Sequence, residues 1–251
     1  MYFQRVFSIL CGYTLGEYIR NRRLTLAGAE LASGNAKVID VALKYGYDSP
    51  DSFAKAFARF HGITPSQARG DGVVLKSFSR LSIKISLEGG NTMDYRIEEK
   101  PEISLIGFKT QFIGDAEERF EQERDFWVNT RTEQDVLMAI RKGSENIWYD
   151  INANFSNNGY DHYIAIESEK DIPGGYESIK IPSHIYVVCE TSKAKYPTLL
   201  HTDLRKRIVS EWLPSSDYVF SDAPEISVTH WYRKPDDENR YIELWIPVEK
   251  K

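Results

Sequence analysis

One helical unit occurs twice in this chain. Residues 3–17 (FQRVFSILCGYTLGE) align with residues 53–67 (FAKAFARFHGITPSQ), with Phe3/Phe53, Phe7/Phe57, Gly12/Gly62 and Thr14/Thr64 identical. A unit used twice points to an architecture built from copies. Each copy spaces apolar residues at i, i+3, i+4 and i+7 (Phe3, Val6, Phe7, Leu10; Phe53, Ala56, Phe57, Phe60), the pattern of one helical face. Each stops at a glycine, a C-terminal helix signal, and a threonine two residues later is placed to cap a new helix.

Val38, Val41, Ala42 and Tyr45 form another such face ahead of the second copy, ended by Gly46 and restarted at Ser49-Pro50 as cap and first helical residue. Helix, glycine turn and helix give a helix-turn-helix, whose second helix enters the DNA major groove. Opposite Phe53, Ala56, Phe57 and Phe60 lie Asp51, Ser52, Lys55 and Arg59. On one lone helix such a face reads as ordinary solvated surface, and the duplication favours DNA contact.

Residues 2–69, especially GEYIRNRRLTLAGAEL, VIDVALKYGYDSPDSFAKAF and FHGITPSQAR, closely resemble the double helix-turn-helix domain of AraC/XylS-type transcription regulators. The resemblance implies two recognition helices, roughly residues 2–10 and 50–60, joined by a long helix over 15–32. It places Gln4 and Arg5 on the first, and Ser49, Asp51, Ser52, Lys55 and Arg59 on or at the second, against double-stranded DNA. Met1 falls where the first recognition helix begins, so the first motif is expected to be truncated there.

Charge divides the chain in the same place. Residues 1–69 hold nine Lys/Arg against five Asp/Glu, net +4, and the remainder is net −9, within an overall −5. The basic end suits phosphate. A length of 251 residues accommodates two domains, expected at 1–70 and 73–251. The opening MYFQRVFSILCG is apolar and ends in cysteine, yet Gln4 and Arg5 interrupt it and no basic leader precedes it, so it reads as helix rather than signal. No stretch approaches a membrane span, and no membrane partner is expected. Cys11 and Cys189, in different domains without CxxC spacing, fit a reducing cytoplasm. The five histidines lack metal-ligand spacing, so neither metal nor cofactor is expected.

The remainder reads as a different class. Ser77 to Leu87 alternates in period two toward Gly89-Gly90-Asn91, a hairpin turn into a strand over Asp94–Glu99. EKPEISLIG (99–107) parallels KIPSHIYVV (180–188), each with a proline joining two strands. Each half continues into an amphipathic helix (115–140; 197–213) and two strands (147–155 and 162–168; 225–232 and 240–248). The expected fold is α+β: an all-α helix-turn-helix domain plus a duplicated, pseudo-symmetric β-β-α-β-β domain with its helices on one sheet face.

In the last strand, YIELWIPV, period two sets Ile242, Leu244 and Ile246 toward a core and Tyr241, Glu243 and Trp245 on the other face. Glu243 reads either as a solvated edge residue or as an anchor for a cation resting on aromatic faces. Trp127, Trp148, Tyr149, Tyr163, Tyr186 and Trp231 are candidate walls. Asp150, beside Tyr149, reads as solvated.

Residues 77–251 resemble GyrI-like effector-binding domains in strand order, in the MDYRIEEKP opening, in IPSHIYVV and in the closing ELWIP. The resemblance implies a pocket between pseudo-symmetric halves in which the closing acid, here Glu243, helps bind cationic or amphipathic small molecules. The corresponding first-half position is Ala165. The leading function is a ligand-controlled, sequence-specific transcription regulator with RNA polymerase as a further candidate partner. A GyrI-like hydrolase ranks behind it, because no Ser/His/Asp or Cys/His constellation supplies catalytic residues. A protein-binding, gyrase-inhibitor-like module is the third alternative.

Overall fold

A computed structural model describes the protein over residues 2–34, 36–70, 72–81, 92–114, 116–143, 146–156, 159–231 and 238–251. The chain divides into two packing units, Leu15–Gly89, and Met1–Thr14 together with Gly90–Lys251. Helix α1 (Tyr2–Cys11) therefore packs with the C-terminal residues, whereas the sequence assigns it to the helical domain ending near residue 70.

The helical unit contains α2 (Leu15–Ala32), α3 (Val38–Lys44) and α4 (Pro50–His61). Leu24, Ala27, Leu31, Val41, Ala42, Phe53 and Phe57 meet in one fully buried cluster, which is the expected apolar faces of α3 and α4 closing on α2. Ser49 caps α4, its Oγ accepting from the Ser52 backbone N–H at 3.2 Å, and Pro50 opens the first turn. Gly62 ends the helix at φ 79°, a left-handed conformation that glycine adopts without penalty. Glu30 ties α2 to the end of α3, accepting from Lys44 Nζ at 2.7 Å and from the Tyr45 hydroxyl at 2.9 Å. A Cβ on Gly28 would lie 2.8 Å from the His61 ring, so its absence is what lets α4 approach α2.

Residues 73–81 form no strand. They run along α2 instead, where the Phe78 N–H donates to Thr25 Oγ1 at 2.9 Å and the Leu81 N–H to the Tyr18 hydroxyl at 3.3 Å. The remainder of the strand expected over Ser77–Leu87 lies outside the described residues. The expected hairpin turn at Gly89-Gly90-Asn91 lies outside the described residues.

The second unit follows the expected order of β-β-α-β-β given twice. Its first half comprises β1 (Arg96–Lys100), β2 (Ile103–Ile113), α5 (Ala116–Asn129), α6 (Arg131–Ile140), β3 (Ile147–Ala153) and β4 (Gly159–Ile166). The second comprises β5 (Glu177–Ile181), β6 (His184–Glu190), α7 (Thr198–Arg207), a π-helical turn Ile208–Trp212, α8 (Leu213–Ser215), β7 (Tyr218–Phe220), β8 (Glu225–His230) and β9 (Tyr241–Lys250). The single helix expected over 115–140 is broken at Thr130, whose hydroxyl donates to the Phe126 carbonyl at 2.7 Å.

All strand pairs are antiparallel, in the order β1-β6-β9-β8-β3-β4-β2-β5, with β7 added to the far end of β9. The halves exchange their first strands: β1 pairs with β6 of the second half, and β5 with β2 of the first. One sheet face carries the helices. Phe126 and Leu137 pack there with Phe112, Trp148, Ile164 and Ile166, and Leu204, Ile208, Val209 and Trp212 with Val187, Leu244 and Ile246. The opposite face buries Leu105, Tyr149, Ile151, Ala165, Ile179, Ile181, Tyr186, Val188, Ile226, Val228 and Trp245 without a helical residue.

Candidate effector site and DNA-facing helix

Period two on β9 divides its residues as expected. Ile242, Leu244 and Ile246 are buried, and Tyr241, Glu243 and Trp245 share the helix-free face. Glu243 is the charged residue of a partly enclosed cluster, its side chain 17% exposed. Its Oε2 accepts from the Trp245 indole N–H at 3.0 Å and its Oε1 lies 3.2 Å from His230 Nε2. His230 stands opposite Tyr241 in the β8–β9 register, and the two rings stack at 4.1 Å and 7°. The His230 hydrogen bond is the largest influence holding the Glu243 carboxyl below the usual carboxylate range, with the Trp245 N–H and the Lys100 ammonium acting in the same direction. The carboxylate is therefore ionised at neutral pH.

The walls are aromatic. Tyr149 and Tyr186 meet the Trp245 ring at 6.3 and 5.9 Å between centroids, and Tyr163 packs against the same cluster. The Tyr149 hydroxyl donates to Glu167 at 2.6 Å, which adds a second carboxylate near this face. The Tyr186 hydroxyl is buried with no hydrogen-bond partner, and burial raises its pKa to about 12. A buried phenol without a partner is a polar group available to a ligand.

Three expected walls are elsewhere. Trp148 lies on the helix-covered face with Phe112 and Phe126, because adjacent residues of a strand point to opposite sides and Tyr149 holds the site side. Trp127 is on α5, in the helix layer. Trp231 likewise packs with the Trp148 cluster, where Arg240 covers its ring at 4.4 Å. Asp150 is half-buried rather than solvated. It faces the helix layer with Oδ2 accepting from Thr229 at 3.1 Å and Oδ1 buried without a partner, and burial raises its pKa to about 7. Lys100 and Arg96, both near Glu243, had no place in the sequence reading.

On the helical unit, Asp51, Ser52, Lys55 and Arg59 form the outward side of α4, opposite buried Phe53 and Phe57. Ser49 acts first as the cap of that helix. Arg5 turns inward. Its guanidinium pairs with Glu225 at 3.3 Å and stacks on Phe155 and Phe220 at 4.8 and 4.6 Å, while Ile9 enters the α7 core cluster. The inward side of α1 thus carries Arg5 and Ile9 together with the expected Val6, which packs against the same cluster, while the expected Phe3 and Leu10 are exposed. A buried carboxylate supplies the reason: Glu225, 2% exposed, takes Arg5 and, through both oxygens, Arg205. Gln4 is exposed.

A duplicated β-β-α-β-β sheet with an ionised acid among aromatic rings, following a helix-turn-helix, defines an effector-binding protein with an AraC-type DNA-binding domain. The chain belongs to the family described as integron-associated effector binding protein, whose model matches residues 96–248, and a helix-turn-helix domain model matches residues 1–71. The N-terminal segment is 54% identical over 66 residues to the HTH-type transcriptional activator AarP of Providencia stuartii, covering 26% of this chain and 49% of that protein. It is 44% identical over 68 residues to the regulatory protein SoxS of Salmonella typhimurium, covering 27% and 64%. The chain thus spans about half to just under two-thirds of the length of these relatives, 49% and 64%. A structure described as SAV2435 bound to tetraphenylphosphonium superposes with a TM-score of 0.51 at 17% identity, covering 62% of this chain and 94% of that one. At that identity the likeness is one of fold. Among the described residues no helix is long and apolar enough to cross a membrane.

Proposed function

We propose that this chain is a DNA-binding transcription regulator whose C-terminal domain takes an amphipathic organic cation at Glu243. The observation that carries the reading is the ionised Glu243 carboxylate, held by His230 and the Trp245 N–H against the rings of Trp245, Tyr149 and Tyr186. A partly desolvated carboxylate attracts a cation strongly, and aromatic faces accept both its charge and its apolar groups. The fold shared with a tetraphenylphosphonium-bound protein supports this ligand class. The likeness of residues 1–71 to AraC-type activators supports DNA as partner, with α4 supplying Ser52, Lys55 and Arg59 to the groove.

Fluorescence titration tests the ligand half. Tetraphenylphosphonium is expected to quench tryptophan emission saturably, through Trp245, and neutral triphenylphosphine oxide to bind more weakly. Equal affinity for the two contradicts charge recognition. For the DNA half, Lys55→Ala is expected to lower the salt slope of duplex binding by about one unit if Lys55 contacts phosphate. An unchanged slope and affinity remove Lys55 from the interface.

A further inference from the structure

The Glu243 site already holds a cation of the chain's own. Lys100, the last residue of β1, places its ammonium 4.2 Å from the centroid of the Trp245 ring and ion-pairs with Glu98. It is one of the charges that lower the Glu243 pKa. Arg96, four residues earlier on the same strand face, stands 3.8 Å from Glu243 Oε2 while pairing with Glu98 and Glu190 at 2.6 Å. Of these two cations Lys100 is the more enclosed, its side chain 19% exposed against 49% for Arg96, and it is the one lying over the aromatic face.

Topology explains its arrival. Because the two halves exchange their first strands, β1 of the first half lies beside β6, and β6 beside β9, which brings Lys100 to an acid 143 positions later in the chain. The internal repeat provides a control. Aligning Pro101 with Pro182 sets Lys100 against Ile181, just as the closing strands set Glu243 against Ala165. Both Ile181 and Ala165 are buried in the apolar cluster of the helix-free face. Through the strand exchange the side of the sheet that has the acid receives the lysine, and the side without the acid has an aliphatic residue in each place.

We propose that Lys100 is a tethered competitor: its ammonium occupies the position over Trp245 that a ligand's cation must take, so that effector binding exchanges one cation for another. This rests on the cation-binding reading of Glu243. Such a site discriminates. A neutral compound leaves the lysine undisplaced, and a small, strongly hydrated cation has too little apolar surface to offset its removal. A bulky organic cation supplies both charge and aromatic contact.

The experiment is calorimetric titration of tetraphenylphosphonium and triphenylphosphine oxide into the full chain and into Lys100→Met, Lys100→Arg and Glu243→Gln. Lys100→Met keeps the side-chain stem and removes the charge, and is expected to tighten tetraphenylphosphonium binding by about tenfold, the scale of one desolvated cation–π contact, with the neutral compound little changed. Lys100→Arg is expected to stay at or below the parent's affinity. If Glu243→Gln weakens the cation but Lys100→Met does not tighten it, the competitor is refuted while the effector reading stands. If Glu243→Gln leaves the cation's affinity intact, the reading itself fails and the competitor with it. A measurement on the parent covers the case of a variant that does not fold: the side-chain ammonium resonance of Lys100 is expected to move when tetraphenylphosphonium saturates the protein, and a resonance that stays in place refutes the exchange.

Discussion

At the scale of single residues, two acids of the effector-binding domain, one buried and one half-buried, have opposite fates. Glu225 sits between Arg5 and Arg205, and the Arg205 ion pair is the largest influence opposing its burial, holding its pKa down at about 2. A depressed carboxylate contributes stability that is complete above its unfolded value and is lost as pH falls through its folded one. Glu225→Gln is therefore expected to lower stability by roughly 3 to 5 kcal/mol at pH 7, since it leaves two guanidinium groups near a neutral amide. Denaturant unfolding should show that difference shrinking from about pH 4.5 toward pH 2, and a pH-independent difference would argue against an ionic role. Among the described residues Asp150 has no cationic partner, and burial raises its pKa to about 7. Here the folded state binds the proton more tightly, so stability falls as pH rises from the unfolded value toward about 7. Asp150→Asn keeps an acceptor for Thr229 and is expected to raise the melting temperature at pH 8 while changing it little at pH 4. Equal shifts at both values would mean that charge burial is not the cause.

At the scale of elements, sequence periodicity was informative wherever an element's partner face is generic and silent where the partner is specific. Phe53 and Phe57 needed only some apolar surface, and α2 provides it; Ile242, Leu244 and Ile246 likewise needed only a helix layer. The α1 face was misjudged because Arg5 turns inward to an acid 220 positions away, which no local pattern announces. Trp148 and its neighbour Tyr149 lie on opposite sheet faces, a separation that strand alternation alone dictates. Lys100 was out of reach for a different reason, since its place depends on strand exchange. The one usable trace was the matched pair Lys100/Ile181 and Glu243/Ala165 in the repeat. Close packing of α2 and α4 gives an element-scale prediction. Gly28→Ala would gain about 1 kcal/mol of helix propensity but forces the His61 ring, whose Nε2–H donates to the Leu24 carbonyl at 3.0 Å, out of its place. Overpacking of this kind costs about 1 to 3 kcal/mol, so a net loss of stability in thermal unfolding is expected. A more stable Gly28→Ala protein would show that the ring can yield freely.

At the scale of the whole molecule, a basic helical end, net +4, is joined to an acidic remainder, net −9, in one chain. Such a division suits a protein whose two ends meet different partners, phosphate for one and organic cations for the other. A regulator of this kind requires the two binding events to influence each other, and that influence is a coupling free energy that must be reciprocal. Operator selection from random duplexes would supply the DNA needed to measure it. The central claim is then tested most directly by the affinity of the full chain for that duplex, measured with and without saturating tetraphenylphosphonium at fixed salt, beside the same pair of measurements on Glu243→Gln. The account predicts that the cation changes the parent's DNA affinity by about 5-fold or more in one direction, the range of ordinary allosteric coupling, and leaves the variant's unchanged at the same cation concentration. The same DNA affinity for the parent with and without the cation, at a concentration shown to fill the site, would contradict it.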